Sequence, residues 1–467
     1  MAKTVVLPLW LAVISGALAV WALADRILYP LVRGFFSRRE EIFLRRIKDR
    51  LHLQIPAFKV ARREVLIDRL LSDAHVLKAV DEICREQGVS AETALKKVRS
   101  YAEEIIPSFH AYAYYSFGSL IGISFARLLY RVRVGYADEE GLAKIDPLSS
   151  LVFIMNHRSN MDYILLGYLT LTRAVLSFAV GEWARVWPIQ PLVKAMGAYF
   201  VRRGSGDVLY RCVLAGYVRM AVEGGLIQAV YPEGKLSRDG HLQEPKIGIL
   251  DYMLRDFDPD GERDLVFIPV GVNYDRVLED RTLLLGRTPA AKKTGLAAAL
   301  TTFRFIVHNL WLMMRRGWHR FGYAAVYFGT PLSMRDYIRT RGVDFRKQPK
   351  EERTEHVRRL ARTLLRSVGG VIPVLPVSLV SAVFVENPEI AFSDDELKSR
   401  ARELLDRLEK NGAHIYLPRR SFDYAVRVGL RMLVLRHLVQ KEGDRVRAVP
   451  AELDLLEYYA NAISHLV

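Results

Sequence analysis

Four short blocks carry residue types that could do chemistry together. The first is Asn156-His157-Arg158-Ser159-Asn160-Met161-Asp162-Tyr163. It follows the apolar run Leu151 to Met155 and precedes the apolar, helix-like run Ile164 to Leu171. A strand end would expose His157, Ser159 or Asn160 could cap the following helix, and Asp162 in its first turn could reach back to the imidazole. A carboxylate on one ring nitrogen fixes the tautomer and leaves the other nitrogen free to act as a base. The spacing alone is equally that of a histidine that simply caps a helix.

The second block, Gly197-Ala198-Tyr199-Phe200-Val201-Arg202-Arg203-Gly204, is a strand that delivers two guanidiniums into a glycine-containing loop. Arginine forks match phosphate oxygens, and glycine lets backbone N–H groups approach an anion. The third, Tyr231-Pro232-Glu233-Gly234-Lys235-Leu236-Ser237-Arg238-Asp239-Gly240, again ends an apolar strand and adds two cations and a carboxylate. The fourth, Val266 to Val272, is a strand interrupted by Pro269, which implies an edge or a bulge. Other chemistries lack their residues. The chain has no G-x-S-x-G elbow, no H-E-x-x-H and no complete G-x-G-x-x-G, and Gly234-Lys235 lacks the leading glycine of a phosphate-binding loop. No ligand cluster suggests a metal, and two cysteines, Cys84 and Cys212, support neither a disulfide framework nor a cysteine zinc site.

The elements that must position these blocks follow from patterning. From about residue 148, short apolar runs (151–155, 176–180, 198–201, 226–231, 265–273 and 323–328) alternate with helical stretches, which implies an α/β domain with a mixed, mostly buried sheet and helices on both faces. Residues 36–130 read as charged amphipathic helices, with Ser90 an N-cap ahead of Ala91-Glu92-Thr93, and the chain is mostly helical again after about 333. The expected organisation is a membrane anchor over 1–28, an N-terminal helical region over 29–145, the α/β domain over 146–335, and a C-terminal helical region over 336–467.

Val5 to Ala24 is an uncharged apolar run long enough to cross a hydrocarbon core of about 30 Å. The alternatives are an interfacial helix and a cleaved signal peptide, for which Ala22-Leu23-Ala24 would be the cleavage site. Against cleavage, the run is long for a signal and the basic residues follow it: Arg26, Arg33, Arg38, Arg39, Arg45, Arg46, Lys48 and Arg50, against Lys3 alone upstream. That asymmetry predicts a single N-terminal anchor with the body of the protein on the cytoplasmic face. Two further segments could touch lipid or be buried core: Gly295 to Trp318 is apolar and aromatic but carries Arg304 and His308, which suits an interfacial or groove-lining helix better than a span, and Val371 to Val385 is apolar but short and broken by Pro373 and Pro376.

With 68 Lys and Arg against 52 Asp and Glu, the formal charge is +16, which favours anionic partners without choosing among them.

The order of the four blocks at successive strand ends resembles the glycerolipid acyltransferase superfamily: a His-x4-Asp block, a strand ending in Arg-Arg, a Glu-Gly loop with Ser and Arg, and a Val-Pro-Val-like strand. Within it the sequence is most similar to the bacterial glycerol-3-phosphate and dihydroxyacetone-phosphate acyltransferases. Ser72 to Ile105 is similar to the helical segment ahead of their catalytic block, and Tyr458-Tyr459-Ala460-Asn461-Ala462-Ile463-Ser464-His465 to a signature near their C-terminus. The resemblance implies a fatty acyl transfer from acyl-CoA or acyl-carrier protein to the sn-1 hydroxyl of glycerol 3-phosphate, yielding lysophosphatidate for phospholipid synthesis. His157 would be the base and Asp162 its orienting partner. Arg202, Arg203, Lys235 and Arg238 would hold the phosphate, and Glu233, Gly234 and Ser237 would order the loop or the acceptor. No bound cofactor or metal is implied, and the partners are the two substrates and a membrane surface, with no nucleic acid. Leu236 departs from the family, which usually has an arginine there; Lys235 is a cation one place earlier. Dihydroxyacetone phosphate or a lysophospholipid is therefore the alternative acceptor.

Overall fold

The computed structural model describes residue 58 and residues 63–109, 119–170, 176–181, 189–202, 204–285 and 320–467. The expected anchor, the basic stretch behind it, the 295–318 segment and Arg203 lie outside the described residues.

In chain order the helices are α1 (Arg63–Leu71), α2 (Ala74–Gln87), α3 (Ala91–Ile105), α4 (Ser119–Leu129), α5 (Glu139–Ala143), α6 (Asp162–Thr170), α7 (Ile189–Ala195), α8 (Val208–Glu223), α9 (Gly248–Leu254), α10 (Asp280–Leu285), α11 (Met334–Arg341), α12 (Lys350–Gly370), α13 (Pro376–Glu386), α14 (Asp394–Lys410), α15 (Phe422–Leu435) and α16 (Leu453–Ala460). The strands are β1 (Arg131–Ala137), β2 (Ser150–Met155), β3 (Ser177–Val180), β4 (Ala198–Phe200), β5 (Gln228–Val230), β6 (Leu265–Tyr274), β7 (Tyr323–Phe328), β8 (Leu332–Ser333), β9 (Val439–Glu442) and β10 (Arg445–Ala448).

Among the described residues, β1 to β8 form one sheet in the order β1-β7-β6-β2-β5-β3-β4, with β8 also on β6. The neighbours from β6 through β2, β5 and β3 to β4 are parallel, while β7 and β8 run antiparallel to β6. This is the mixed α/β sheet expected from the alternation of apolar runs.

The two-residue period of a strand distributes the core to both faces. Val152 and Ile154 of β2, Tyr199 of β4 and Phe267 of β6 pack with α1 to α3, α8, α9 and α12. Phe153 and Met155, Phe200, and Val266 and Ile268 point the other way, into a core shared with α4, α6 and α13 to α16. The C-terminal helices thus cover the sheet itself. The Val371–Val385 segment is buried, as a core reading requires.

Local signals account for several boundaries. Ser90 caps α3 by accepting from Thr93 N–H, and Asp207 caps α8 by accepting from Tyr210 N–H while Tyr101 donates to its other oxygen. Two expectations need correction. First, β1 lies inside the stretch read as N-terminal helices, so the sheet begins at Arg131 and not at 146. Its strongly exposed, arginine-bearing face removes the apolar alternation that marks a strand. Second, Pro269 is in a central, fully buried strand. Its carbonyl accepts from Gly329 N–H on the β7 side. Its ring nitrogen faces the same side, in the gap between Phe267, which pairs with β8, and Val270, which pairs with β7. No ladder donor is required there, so proline costs nothing.

Candidate active site

The parallel ends of β2, β5 and β4 leave the sheet on one edge, where an open α/β sheet places its ligand site. β2 is closed off by Asn156, whose side-chain amide donates to Val272 C=O (2.8 Å) and accepts from Val272 N–H (2.8 Å). The amide continues the ladder to β6 after the backbone has turned away, and His157 is delivered beyond the sheet edge.

Asp162, at the first residue of α6, is the hub of the turn and has no solvent exposure. Its Oδ2 accepts from His157 Nδ1 (2.9 Å), Arg158 N–H (2.8 Å) and Ser159 N–H (3.1 Å). Its Oδ1 accepts from the Tyr274 hydroxyl at 2.6 Å. These four donors satisfy both oxygens of the buried carboxyl. Because Oδ2 is an acceptor, the imidazole carries its proton on Nδ1, and Nε2 presents a lone pair. The His157 side chain is 12% exposed, and Nε2 has no hydrogen bond to a described residue. His157 and Asp162 therefore form a hydrogen-bonded imidazole–carboxylate pair, an arrangement that can serve a base with its orienting carboxylate.

Two further carboxylates hold the turn. Glu279 accepts from Ser159 Oγ–H (2.8 Å), Asn160 N–H (3.2 Å) and the Asn160 side-chain amide (3.0 Å), and burial pushes its carboxyl above the ordinary value. Glu233, 1% exposed, accepts from His157 N–H (2.8 Å) and Gln243 N–H (2.9 Å). Burial raises it to about 7, while the two backbone donors act in the opposite direction. Both Glu233 oxygens are engaged by backbone, so it orders the loop.

The third block touches the first directly: Ser237 N–H donates to His157 C=O at 2.9 Å. Ser237 Oγ accepts from Gly240 N–H (3.0 Å) and donates to His241 C=O (2.9 Å), stapling the loop. Gly240 has φ +88°, and a Cβ there would overlap the Tyr458 carbonyl oxygen. Gly234 has φ +70° and is exposed beside Lys235 and Arg238. Arg158, 3% exposed, donates to Gly240 C=O (2.6 Å) and Tyr458 C=O (3.3 Å), tying both blocks to the C-terminal helix.

Arg202 sits differently. It leaves β4, three strands from β2, or about 14 Å along the sheet. Its guanidinium forms a fork with Glu104 of α3 (Nε to Oε1, 2.9 Å) between the rings of Tyr101 and Tyr210, and that pairing raises its pKa further. It shares the edge with His157 but is already neutralised by a carboxylate. His157, Asp162, Glu233, Gly234, Ser237, Lys235 and Arg238 are thus brought together, and Arg202 stands to one side. Among the described residues, no three His, Cys, Asp or Glu are grouped so as to hold a metal ion.

Sequence reasoning missed Tyr274, Glu279, Arg158 and the ring of Tyr231. Tyr274 and Glu279 are 112 and 120 residues from their partners, and only the β2–β6 pairing brings them close. Arg158 lay inside the first block, but nothing in its type distinguishes a buried carbonyl anchor from a solvated charge.

Comparison with known proteins finds similarity to acyltransferases in the segment that carries this site. Residues 137–273 match the acyltransferase family model, and residues 309–467 match the glycerol-3-phosphate acyltransferase C-terminal region. The chain is 26% identical over 420 residues to the glycerol-3-phosphate acyltransferase of Pseudomonas syringae pv. tomato, covering 87% of this chain and 49% of that protein. It is 26% identical over 423 residues to the enzyme of that name from Aeromonas hydrophila (87% and 50%) and 24% identical over 424 residues to that of Xylella fastidiosa (87% and 47%). The chain spans about half the length of these curated relatives. A solved structure, the 1-acyl-sn-glycerophosphate acyltransferase of Thermotoga maritima, aligns with a TM-score of 0.30 at 15% identity, over 65% of this chain and 97% of that one. The resemblance to the glycerolipid acyltransferases holds in both halves of the chain.

Proposed function

We propose that this protein transfers a fatty acyl group from a thioester, acyl-CoA or acyl-carrier protein, to the sn-1 hydroxyl of glycerol 3-phosphate, giving lysophosphatidate. The observation that carries the reading is the His157–Asp162 pair at the end of β2, inside the segment that matches the acyltransferase family. In the proposed step His157 Nε2 takes the hydroxyl proton as the oxygen attacks the thioester carbonyl. The tetrahedral adduct collapses with C–S cleavage, and the imidazolium returns the proton to the leaving thiolate. Proton transfer by a positioned base typically contributes about 10²–10⁴-fold. Asp162 holds the ring and stabilises its positive form. Lys235 and Arg238, exposed on the loop that touches His157, hold the acceptor's phosphate; Arg202, once released from Glu104, and Arg203 are the further cations this reading assigns to it. Such anchoring lowers the barrier by fixing the hydroxyl against the thioester carbon.

In this reading an N-terminal anchor over 1–28 holds the domain at the cytoplasmic face of the membrane, where the product lipid is delivered; the apolar run followed by basic residues supports it. The basic balance suits an anionic donor, acceptor and surface. His157→Ala tests the reaction: activity should fall to a few per cent or less in membranes with normal protein levels, and higher retention refutes this base. Arg238→Ala should raise the acceptor KM far more than the donor KM, and equal effects refute the phosphate assignment. Leu236, in place of the family's arginine, favours dihydroxyacetone phosphate or a lysophospholipid as the second reading. A panel of the three acceptors with labelled acyl-CoA separates them.

A further inference from the structure

Tyr231 lies at the end of β5, and its ring stacks on the His157 imidazole with centroids 4.1 Å apart and planes 25° from parallel. The Tyr231 hydroxyl is buried and has no hydrogen-bond partner among the described residues. What the residue offers is therefore its face and not its polar end. An aromatic face within about 6 Å attracts a cation, and the attraction strengthens when water is excluded. The imidazole has Asp162 on one nitrogen and this ring against its plane, so the two contacts fix both the position and the tilt of Nε2.

We infer that Tyr231 is a positioning residue for the proposed acyl transfer, its aromatic face holding the His157 ring and stabilising the imidazolium formed when the hydroxyl proton is taken. The inference rests on the reading of His157 as the base. Among the described residues, the imidazole contacts Asp162 from α6 through Nδ1 and Tyr231 from β5 across its plane, while Glu233 holds the His157 backbone N–H and the Arg158 guanidinium turns to the carbonyls of Gly240 and Tyr458. Of these only Tyr231 covers the ring plane, so its effect is separable from the carboxylates.

The consequence is an unusual order among variants. Tyr231→Phe keeps the face and removes a buried hydroxyl that has no partner among the described residues, so it retains wild-type turnover. Tyr231→Leu and Tyr231→Met stay apolar and fill much of the space but lose the face. Each should lower kcat about threefold with the acceptor KM unchanged, and should move the acidic limb of the pH–rate profile about half a unit to lower pH, as loss of a cation–π contact of ordinary strength requires. The same shift should appear in a histidine-ring NMR titration of the full chain, with the His157 resonance identified by its loss in His157→Asn. That readout does not depend on turnover. Equal losses in the Phe and Leu variants, or an unshifted His157 titration in both Leu and Met, overturn the inference. Loss of all transfer activity from the wild-type chain with the titration shift intact would instead overturn the acyl-transfer reading and leave the stacking role standing.

Discussion

Replacing Asp162 by Asn isolates the charge that the site depends on. The amide oxygen can take the place of Oδ2 and keep the N–H donors of His157, Arg158 and Ser159. The amide nitrogen then faces Tyr274, whose hydroxyl turns from donor to acceptor. The turn should therefore survive, with a stability loss of about 1.5–3 kcal/mol for hydrogen bonds that no longer end on a charge. Catalysis should suffer more. With Nδ1 and Oδ2 2.9 Å apart, the two charge centres are about 4 Å apart, and at an effective dielectric near 20 their attraction is about 4 kcal/mol. Asp162 has no exposure, so solvent does not screen the pair directly. At about 1.4 kcal/mol per decade this corresponds to roughly a thousandfold in the proton-transfer step. The assay is steady-state acyl transfer in membranes beside a thermal melt. The expected result is kcat lower by about 10²–10³ with acceptor KM within twofold. A folded Asp162→Asn protein within tenfold of wild-type kcat would refute the assignment of Asp162 as the charge behind the base.

Glu233→Gln offers one acceptor where two backbone N–H groups need one each, so about 1–3 kcal/mol should be lost, read as a lower urea midpoint. Gly240→Ala forces a Cβ into the Tyr458 carbonyl at a positive φ, and should cost at least about 2 kcal/mol and depress activity together with thermal stability. Asp275 is wholly buried between the N–H groups of Tyr323 and Val377, and burial raises it to about 7. A carboxyl raised in the folded state contributes stability that is full below about pH 4 and is lost as pH rises through about 7. Asp275→Asn should therefore flatten the decline in the denaturation midpoint across that window, and an unchanged slope would contradict it.

Much of the fold was legible because buried strands in an α/β sheet are short, apolar and bounded. The runs at 151–155, 265–273 and 323–328 each fall on a strand within a residue or so at either end. β1 escaped because its arginines face solvent, and β8 is too short to carry a pattern. At the site, His157 and Asp162 could be paired from sequence because five residues and one helix start separate them. The supports could not: Tyr274 reaches Asp162, Glu279 reaches Ser159 and Tyr458 accepts from Arg158 only through strand order and helix packing that local spacing does not encode. Arg202 shows the converse. Its type suited phosphate, but a carboxylate on α3, nearly a hundred residues earlier, holds it.

The central claim is that the His157 imidazole removes the acceptor's hydroxyl proton. The most direct test is single-turnover transfer of labelled acyl from acyl-CoA to glycerol 3-phosphate by wild type and His157→Ala, each with folding verified. The account predicts label in lysophosphatidate with the wild type and a rate constant lower by about 10² or more in the variant, within the range set by general-base loss. Transfer at a comparable rate by folded His157→Ala would contradict it.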